Sequence, residues 1–532
     1  MQAKQNASIS REETPFVLAL SLLLVVASLA FCQRHGWLLL YGDAVAHLHI
    51  ARRIFDSRHP GLLQLGSVWL PLPHLLLVPF AWRTDWWQSG LAGAWPSMLS
   101  YIAACVGIYR LARFWMEPLW AVLAFLALAL NPGLLYMSVT AMTEPLFLAL
   151  FIWSVVWLLD FARTTGQQEW TAARAALGKL TTILIAAVFT RYDGWILGTL
   201  AWLIAACIVV RRNLWRERSL RGPVVLYTLL LAAAPALWML YNWRYYGDPL
   251  DFLRGPYSAQ AIAARTTPPG APHYPGWHSL HIAWLYYLKA ATLGAFARYT
   301  TYIWLLLAYA GTALAIARSR TSALAAALLL WMPLPFYAYS VAYSAVPIFF
   351  PQWVPGAYYN TRYGMEMLPA FALFPVLAAS MIVAARPHWR TRAQWIALIC
   401  ILANSIFLMR ATPLVLQEAK VNSSTRVPFE KAIAKSLLFL PSQATVLMYT
   451  SAHVGALEEI GFPLRQTINE GDDGQWESAL QNPAAAADVV VAIAGDPVAE
   501  AVALHPQGLQ LMDILCTTGQ PCARIYRSQG KN

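Results

Sequence analysis

The chain has 532 residues, of which 58% are hydrophobic and only 12% charged, and its mean hydropathy is +0.48. A soluble globular protein cannot bury that much apolar surface, so the composition describes a polytopic membrane protein. The formal charge of +12 does not signal a nucleic-acid partner, because most of the arginine clusters at the ends of apolar runs, as in cytoplasmic loops.

The first apolar run, Pro15 to Leu40, is too long for the core of a cleavable signal, and no small-x-small site follows it. It reads as an uncleaved first span with the N-terminus in the cytoplasm. Directly after it stands Tyr41-Gly42-Asp43-Ala44-Val45-Ala46-His47-Leu48-His49-Ile50-Ala51-Arg52-Arg53. A carboxylate, two histidines and two arginines are thus held where the chain leaves the membrane, a depth at which charge is costly and carries function. This stretch opens a long outer loop over 41–89. Val45, Leu48 and Phe55 recur at helical spacing, Arg52 and Asp56 pair at i, i+4, and Pro60-Gly61 stops the helix. The run from Trp69-Leu70-Pro71-Leu72-Pro73-His74 to Trp82 is short and proline-broken, which predicts an interfacial or re-entrant helix.

Ten more apolar runs predict spans over 91–109, 119–130, 146–159, 173–189 and 224–243, from the Arg191 turn to Arg211, up to Arg318, and over 323–343, 362–386 and 393–409. With about eleven spans, Arg110 and Arg113, Arg163 and Arg174, the arginines from Arg211 to Arg221, Arg318 and Arg320, and those from Arg386 to Arg392 all face the cytoplasm. A long loop containing Thr267-Pro268-Pro269-Gly270-Ala271-Pro272 precedes a helix over 277–296, expected to lie along the surface. From Pro413 the pattern changes. Strand runs at 445–449 and 489–493 alternate with helical patterns at 453–460 and 497–504. The expectation is a membrane domain over 1–412 and a small extracytoplasmic α/β domain over 413–532.

Cys32, Cys105, Cys207 and Cys400 lie in apolar runs, the last three as small packing residues. Cys516 and Cys522 flank a polar turn and can close a small disulfide in an oxidising compartment. There is no internal repeat, Walker loop or zinc-type cysteine cluster.

The outward connections carry Asp43, His47, Arg52, Arg53, His74, Glu144, Arg191, Asp193, Arg244, Asp248, Asp251, Arg362 and Glu366. Acids and bases mixed at one face suit a site that activates a nucleophile and holds an anion. Simpler roles stand beside this one. Asp43 can cap a helix, Glu144 can complement a helix dipole, and Arg191 with Asp193 can be a plain ion pair. Arg52 and Arg53 can snorkel to headgroups, and Arg244 can anchor beside Tyr245 and Tyr246. His47 and His49 point to different sides of one helix, which does not make a two-histidine metal site. Arg362 opens a span from the outer side, where basic residues are disfavoured.

These features together resemble the GT-C class of membrane glycosyltransferases. That class takes in the protein O-mannosyltransferases of glycosyltransferase family 39, the aminoarabinose transferase acting on lipid A, and the oligosaccharyltransferases. The resemblance rests on Tyr41-Gly42-Asp43, the long loop from Asp56 to Trp82, Thr143-Glu144-Pro145, Arg191-Tyr192-Asp193-Gly194-Trp195 and Tyr359-Asn360-Thr361-Arg362-Tyr363. It implies a GT-C-like fold in a bacterial-type plasma membrane and a role in the cell envelope. The implied reaction moves a hexose or pentose from a polyprenyl-phosphate-linked donor to a protein, lipid or glycan acceptor on the extracytoplasmic side. Asp43 would be the general base or position the acceptor, and Glu144 a second acid near the acceptor or a divalent cation. Arg362, with Arg191 and Arg244 behind it, would neutralise the lipid-linked phosphate. Asp193, His47, His74, Arg52 and Tyr363 complete the expected substrate-binding set. Many members carry two acids in the first loop. Here Ala44 follows Asp43, which leaves Asp43 alone there and assigns no metal ligand.

The chemistry is consistent without the resemblance. Transfer needs a base for the acceptor proton and a cation for the departing phosphate, and arginine supplies the latter with a fixed donor fork. A single displacement would invert the anomeric carbon. A transporter or lipid flippase would instead need broken helices and charges near the midplane. An inactive scaffold would use the C-terminal domain to bind a partner.

Overall fold

The computed structural model describes residues 2–266, 270, 272–318, 326–384, 386–472 and 474–529. Thr267, Pro268, Pro269 and Ala271 of the proline-rich loop, and Arg320, lie outside the described residues. Among the described residues, nine helices are long and apolar enough to cross a membrane. Three shorter apolar helices, Pro71–Ala81, Pro118–Ala129 and Thr301–Ala317, accompany them.

The run expected as a span over 119–130 is the short helix Pro118–Ala129. Twelve residues rise only about 18 Å, well short of a hydrocarbon core of about 30 Å. It ends at Asn131, whose side chain accepts the Leu134 amide and caps the next short helix, Pro132–Met137. The proline-broken run of the first loop forms the helix Pro71–Ala81. Two hydrogen bonds hold this region to the turn after the Trp170–Val188 helix. The Leu72 amide donates to the Phe189 carbonyl at 3.0 Å, and the Tyr192 hydroxyl donates to the Val68 carbonyl at 2.8 Å.

Helices Leu91–Ala112, Glu144–Gly166 and Trp170–Val188 pack side by side. Small residues allow close approach, as is usual between helices in membranes. A Cβ on Gly311 would fall 1.9 Å from the Phe374 carbonyl oxygen, where the helices Thr301–Arg318 and Leu368–Ala384 cross. The helix Leu280–Ala295, expected along the surface, buries Ala283, Tyr286, Tyr287, Ala290 and Ala291 against the helix Pro333–Tyr343 and the turn Thr361–Met367. These residues recur at three- and four-residue spacing and make one apolar stripe. Gly364 of that turn sits so close that an added Cβ would be 2.6 Å from the Ala291 nitrogen.

After Pro413 the chain forms a long helix, Leu414–Leu437, before any strand. The sheet that follows has the order β2-β1-β3-β5-β4. Strands β1 (Val446–Met448), β2 (Thr467–Ile468) and β3 (Val489–Ile493) are parallel, and β4 (Leu509–Leu515) and β5 (Ala523–Ser528) join antiparallel. Cys516 and Cys522 are disulfide-bonded across the β4–β5 connection. Cys32 and Cys105 are buried, while Cys207 and Cys400 are exposed on the surfaces of their helices.

Candidate active site

The helix Gly42–Arg53 begins at the end of the first apolar run. Tyr41 occupies the N-cap position and no side chain caps the helix, so Asp43 stands in the first turn with its carboxylate free for other partners. It turns to Arg362, whose Nη2 donates to Asp43 Oδ2 at 2.5 Å. Arg362 lies in the turn Thr361–Met367, entered through Asn360 at φ +55°, a backbone region that asparagine tolerates. Its Nε donates to Glu144 Oε1 at 3.0 Å, and Nη1 lies 3.5 Å from Glu418 Oε1. Three acids from three distant segments thus share one guanidinium.

Glu144, in the first turn of its helix, bridges to a second cation, with Arg191 Nη1 3.2 Å from the same Oε1. Arg191 Nη1 also donates to Thr143 Oγ1 at 2.8 Å. Its remaining nitrogens reach Asp193 at 3.3 Å, Glu366 at 3.3 Å and the Tyr337 hydroxyl at 2.7 Å. The Tyr337 oxygen lies 2.8 Å from Asp193 Oδ2 and 2.7 Å from Glu366 Oε1, and its one proton serves only one of them at a time. The ring of Tyr363 lies between the two guanidiniums, with their central carbons 5.2 Å (Arg191) and 5.0 Å (Arg362) from its centroid, within cation–π range.

Asp43, Glu144, Asp193, Glu366 and Glu418 are therefore five carboxylates around Arg191 and Arg362. Buried ions hold only when paired and hydrogen-bonded, and the pairing here is dense. Exposure separates the acids: the Asp43 side chain is 38% exposed, against 1% for Glu144 and 2% for Glu418. Asp43 is the one of these three that an incoming group can readily reach. Among the described residues, no group of three or more His, Cys, Asp and Glu is placed to hold a metal ion.

His47 lies one turn after Asp43. Its Nδ1 is 2.9 Å from His74 Nε2, and its ring is 4.3 Å from that of Trp69. Burial, then the charges of Arg362 and Arg191, pushes His47 down to about 3. Burial, then His47 itself, also pushes His74 well down. The pair is a neutral wall beside the acids. Arg52 and Arg244 stand elsewhere. Arg52 is held by Asp56, the carbonyls of Ala81 and Trp82, and Thr84. Asp56 also meets Arg465 at 3.2 Å, so this network ties the first loop to the C-terminal unit. Arg244 is exposed at the end of its helix over the Tyr245 ring.

Glu418 and Tyr337 had no mark in the sequence. Glu418 lies in the helix Leu414–Leu437 and accepts the amides of Asn360 at 3.0 Å and Thr361 at 2.8 Å, besides the Thr361 hydroxyl. It fixes the turn that aims Arg362. Arg426 of the same helix donates to the carbonyls of Leu39 and Leu40 at 3.0 and 3.1 Å, just before Asp43. One helix thereby sets both halves of the Asp43–Arg362 pair.

Two cavities meet at that pair. One, of about 1700 Å³, runs along the helix Asp193–Arg211 past Ile196, Leu200, Ile204 and Ile208. The other, of about 1770 Å³, opens toward the C-terminal unit and is lined there by Thr450, Ser451, Glu470 and Trp476. Asp43 and Arg362 border both.

No family model matches the chain, and no curated protein matches it in sequence. Solved structures do match it. ArnT from Cupriavidus metallidurans bound to undecaprenyl phosphate superposes with a TM-score of 0.57 over 96% of this chain and 97% of ArnT, at 14% identity. The chain has the ArnT fold. ArnT in the apo state gives a TM-score of 0.56 over 94% of this chain and 97% of its own, at 13% identity. The match covers nearly the whole of both chains, so the shared fold takes in the apolar helices and the C-terminal sheet alike.

Proposed function

We propose that this chain is an integral membrane glycosyltransferase that takes its sugar from a polyprenyl-phosphate-linked donor. The observation that carries the reading is the placing of Asp43, Arg362 and Arg191 at the end of a long apolar groove, where a second cavity meets it. The nineteen-residue helix along the groove rises about 28 Å, close to the thickness of a hydrocarbon core. A polyprenyl tail fits such a groove, with its phosphate at the arginines. The ArnT structure of the same fold holds undecaprenyl phosphate, which supports this choice of donor.

In the proposed reaction Asp43 takes the proton of an acceptor hydroxyl as its oxygen bonds to the anomeric carbon. The bond from that carbon to the phosphate oxygen breaks, and the lipid phosphate leaves with the bonding electrons. Arg362 and Arg191 stabilise it, and the anomeric carbon inverts. Glu144 and Glu418 act as positioning residues that keep the guanidiniums charged and aimed. Asp193, Tyr363 and His47 shape the sugar pocket, and His74 braces His47 from behind.

The finer topology belongs to the same proposal. Counting Pro118–Ala129 together with its continuation Pro132–Met137 as one crossing, and Thr301–Ala317 as another, brings the nine longer helices to about eleven spans. The N-terminus is cytoplasmic, and a membrane domain over 1–412 is followed by an extracytoplasmic α/β domain over 413–532. The Cys516–Cys522 disulfide supports an oxidising location for the latter. A membrane-impermeant thiol reagent added to whole cells is expected to label Gln507→Cys, and to label Gln167→Cys only after permeabilisation. The opposite pattern overturns the orientation. A flippase would need charges near mid-depth, whereas the charged cluster here gathers at helix ends.

The deciding experiment is transfer by the purified protein in liposomes, with radiolabelled hexose or pentose on undecaprenyl phosphate as donors and cell-envelope fractions as acceptors. Label is expected to leave the lipid for an acceptor. Lipid movement across the bilayer without transfer identifies a flippase, and neither activity leaves a scaffold.

A further inference from the structure

We infer that the second cavity is the acceptor site and that its acceptor is an uncharged oligosaccharide; this rests on the transferase reading above. The cavity wall supplies the reason. Trp277, Tyr274, Phe349 and Tyr359 line the cavity as a chain of rings with successive centroids 5.4, 6.5 and 6.3 Å apart, in which Tyr274 meets Trp277 and Phe349 edge to face at 81° and 80°. The strip is rigid: Phe349 and Tyr359 exchange backbone hydrogen bonds of 2.9 and 3.0 Å, and the Tyr274 hydroxyl donates to the Val341 carbonyl at 2.8 Å. It ends one residue before Asn360, at the turn that carries Arg362. Tyr359 is 44% exposed, so its face is open. Trp476 faces the same cavity from the C-terminal unit.

Separate aromatic faces such as those of Trp277 and Tyr359, with polar side chains across the cavity, match the C–H faces and hydroxyls of successive pyranose rings. A membrane-interface belt would point such rings at headgroups; these line a cavity roofed by the polar residues Thr450, Ser451 and Glu470. Charge narrows the class. Asp43, Glu470, Asp472 and Glu477 face the cavity against Arg53 and Arg362. Arg362 is engaged by three carboxylates, and Arg53 Nε donates to Gln64 at 2.7 Å. A phosphorylated acceptor would meet four carboxylates against two guanidiniums, a net negative charge. The apolar lining of this cavity is interrupted by Asp43, Arg53, Glu470 and Glu477, unlike the continuous run of Ile196, Leu200, Ile204 and Ile208 that a lipid tail would need, which belongs to the other cavity.

The test is saturation-transfer NMR on the full-length detergent-solubilised protein. The probes are maltohexaose, chitohexaose and an α-mannohexaose, a glucosamine disaccharide bisphosphate, and a serine- and threonine-rich peptide. At least one neutral hexasaccharide is expected to receive saturation on its ring protons. Trp277→Ala and Tyr359→Ala should each weaken its binding about 2- to 10-fold, and Trp277→Phe should retain most of it. Undecaprenyl phosphate, followed by native mass spectrometry, should bind all three variants equally, which shows that they are folded. Absence of binding by all three hexasaccharides overturns the inference, as does a stronger, ring-dependent signal from the bisphosphate or the peptide. If undecaprenyl phosphate binds in those cases, only the acceptor class falls; if it fails to bind at all, the transferase reading falls with it.

Discussion

Asp43→Asn is expected to lower sugar transfer by about 10²- to 10⁴-fold, the range associated with a lost general base, while donor binding persists. Asparagine keeps the size of aspartate and can still accept from Arg362 Nη2, so the first turn of the helix Gly42–Arg53 need not move. It cannot take the acceptor proton. Arg362 retains Glu144 and Glu418 as partners, which limits the disturbance to the reacting atom. The measurements are transfer rate at saturating donor, undecaprenyl phosphate binding and the size-exclusion profile of the purified variant. Full activity in a well-folded sample removes Asp43 from the mechanism.

Arg362→Ala is expected to be as severe for a different reason. Truncation leaves Glu144 and Glu418, both almost wholly buried, short of a cation. Breaking a buried pair in this way costs about 3–5 kcal/mol, so the thermal midpoint should fall. Donor affinity should fall further than acceptor affinity, because the guanidinium is assigned to the lipid-linked phosphate. Arg362→Lys separates the two effects. Lysine restores one positive charge and hence much of the stability, but a compact ammonium cannot fork among Asp43, Glu144 and Glu418 and still face a phosphate. Its donor KM should stay raised after the midpoint recovers. Unchanged donor affinity in either variant refutes the phosphate role.

Arg52 and Glu418 show where a linear reading stops. Arg52 has the same neighbours in sequence as the site residues and sits on the same helix as Asp43. Its guanidinium nevertheless points away from the cluster, to Asp56 and two main-chain carbonyls. A helix presents successive residues at steps of about 100°, so nearness along the chain is not nearness in space. Glu418 is the reverse. It lies 56 positions from Arg362, in a stretch whose pattern is that of an ordinary amphipathic helix, and nothing local marks it as the residue that holds the Asn360–Arg362 turn.

Hydropathy and loop charge are summed over neighbouring residues, and for that reason the chain's order alone was enough to establish a helical membrane protein with a small α/β unit at its end. Asp43, Glu144, Arg191 and Arg362 stand out in the sequence for the same reason, each set at the edge of an apolar run, where a charged side chain is conspicuous. The rest is a matter of packing. Two guanidiniums shared among five acids, the capture of the Arg362 turn by Glu418, and two cavities meeting at Asp43 all depend on segments from about fifty to more than three hundred residues apart being pressed together. Buried charge is tolerated only where partners arrive from several directions at once, and those directions exist only in the folded chain.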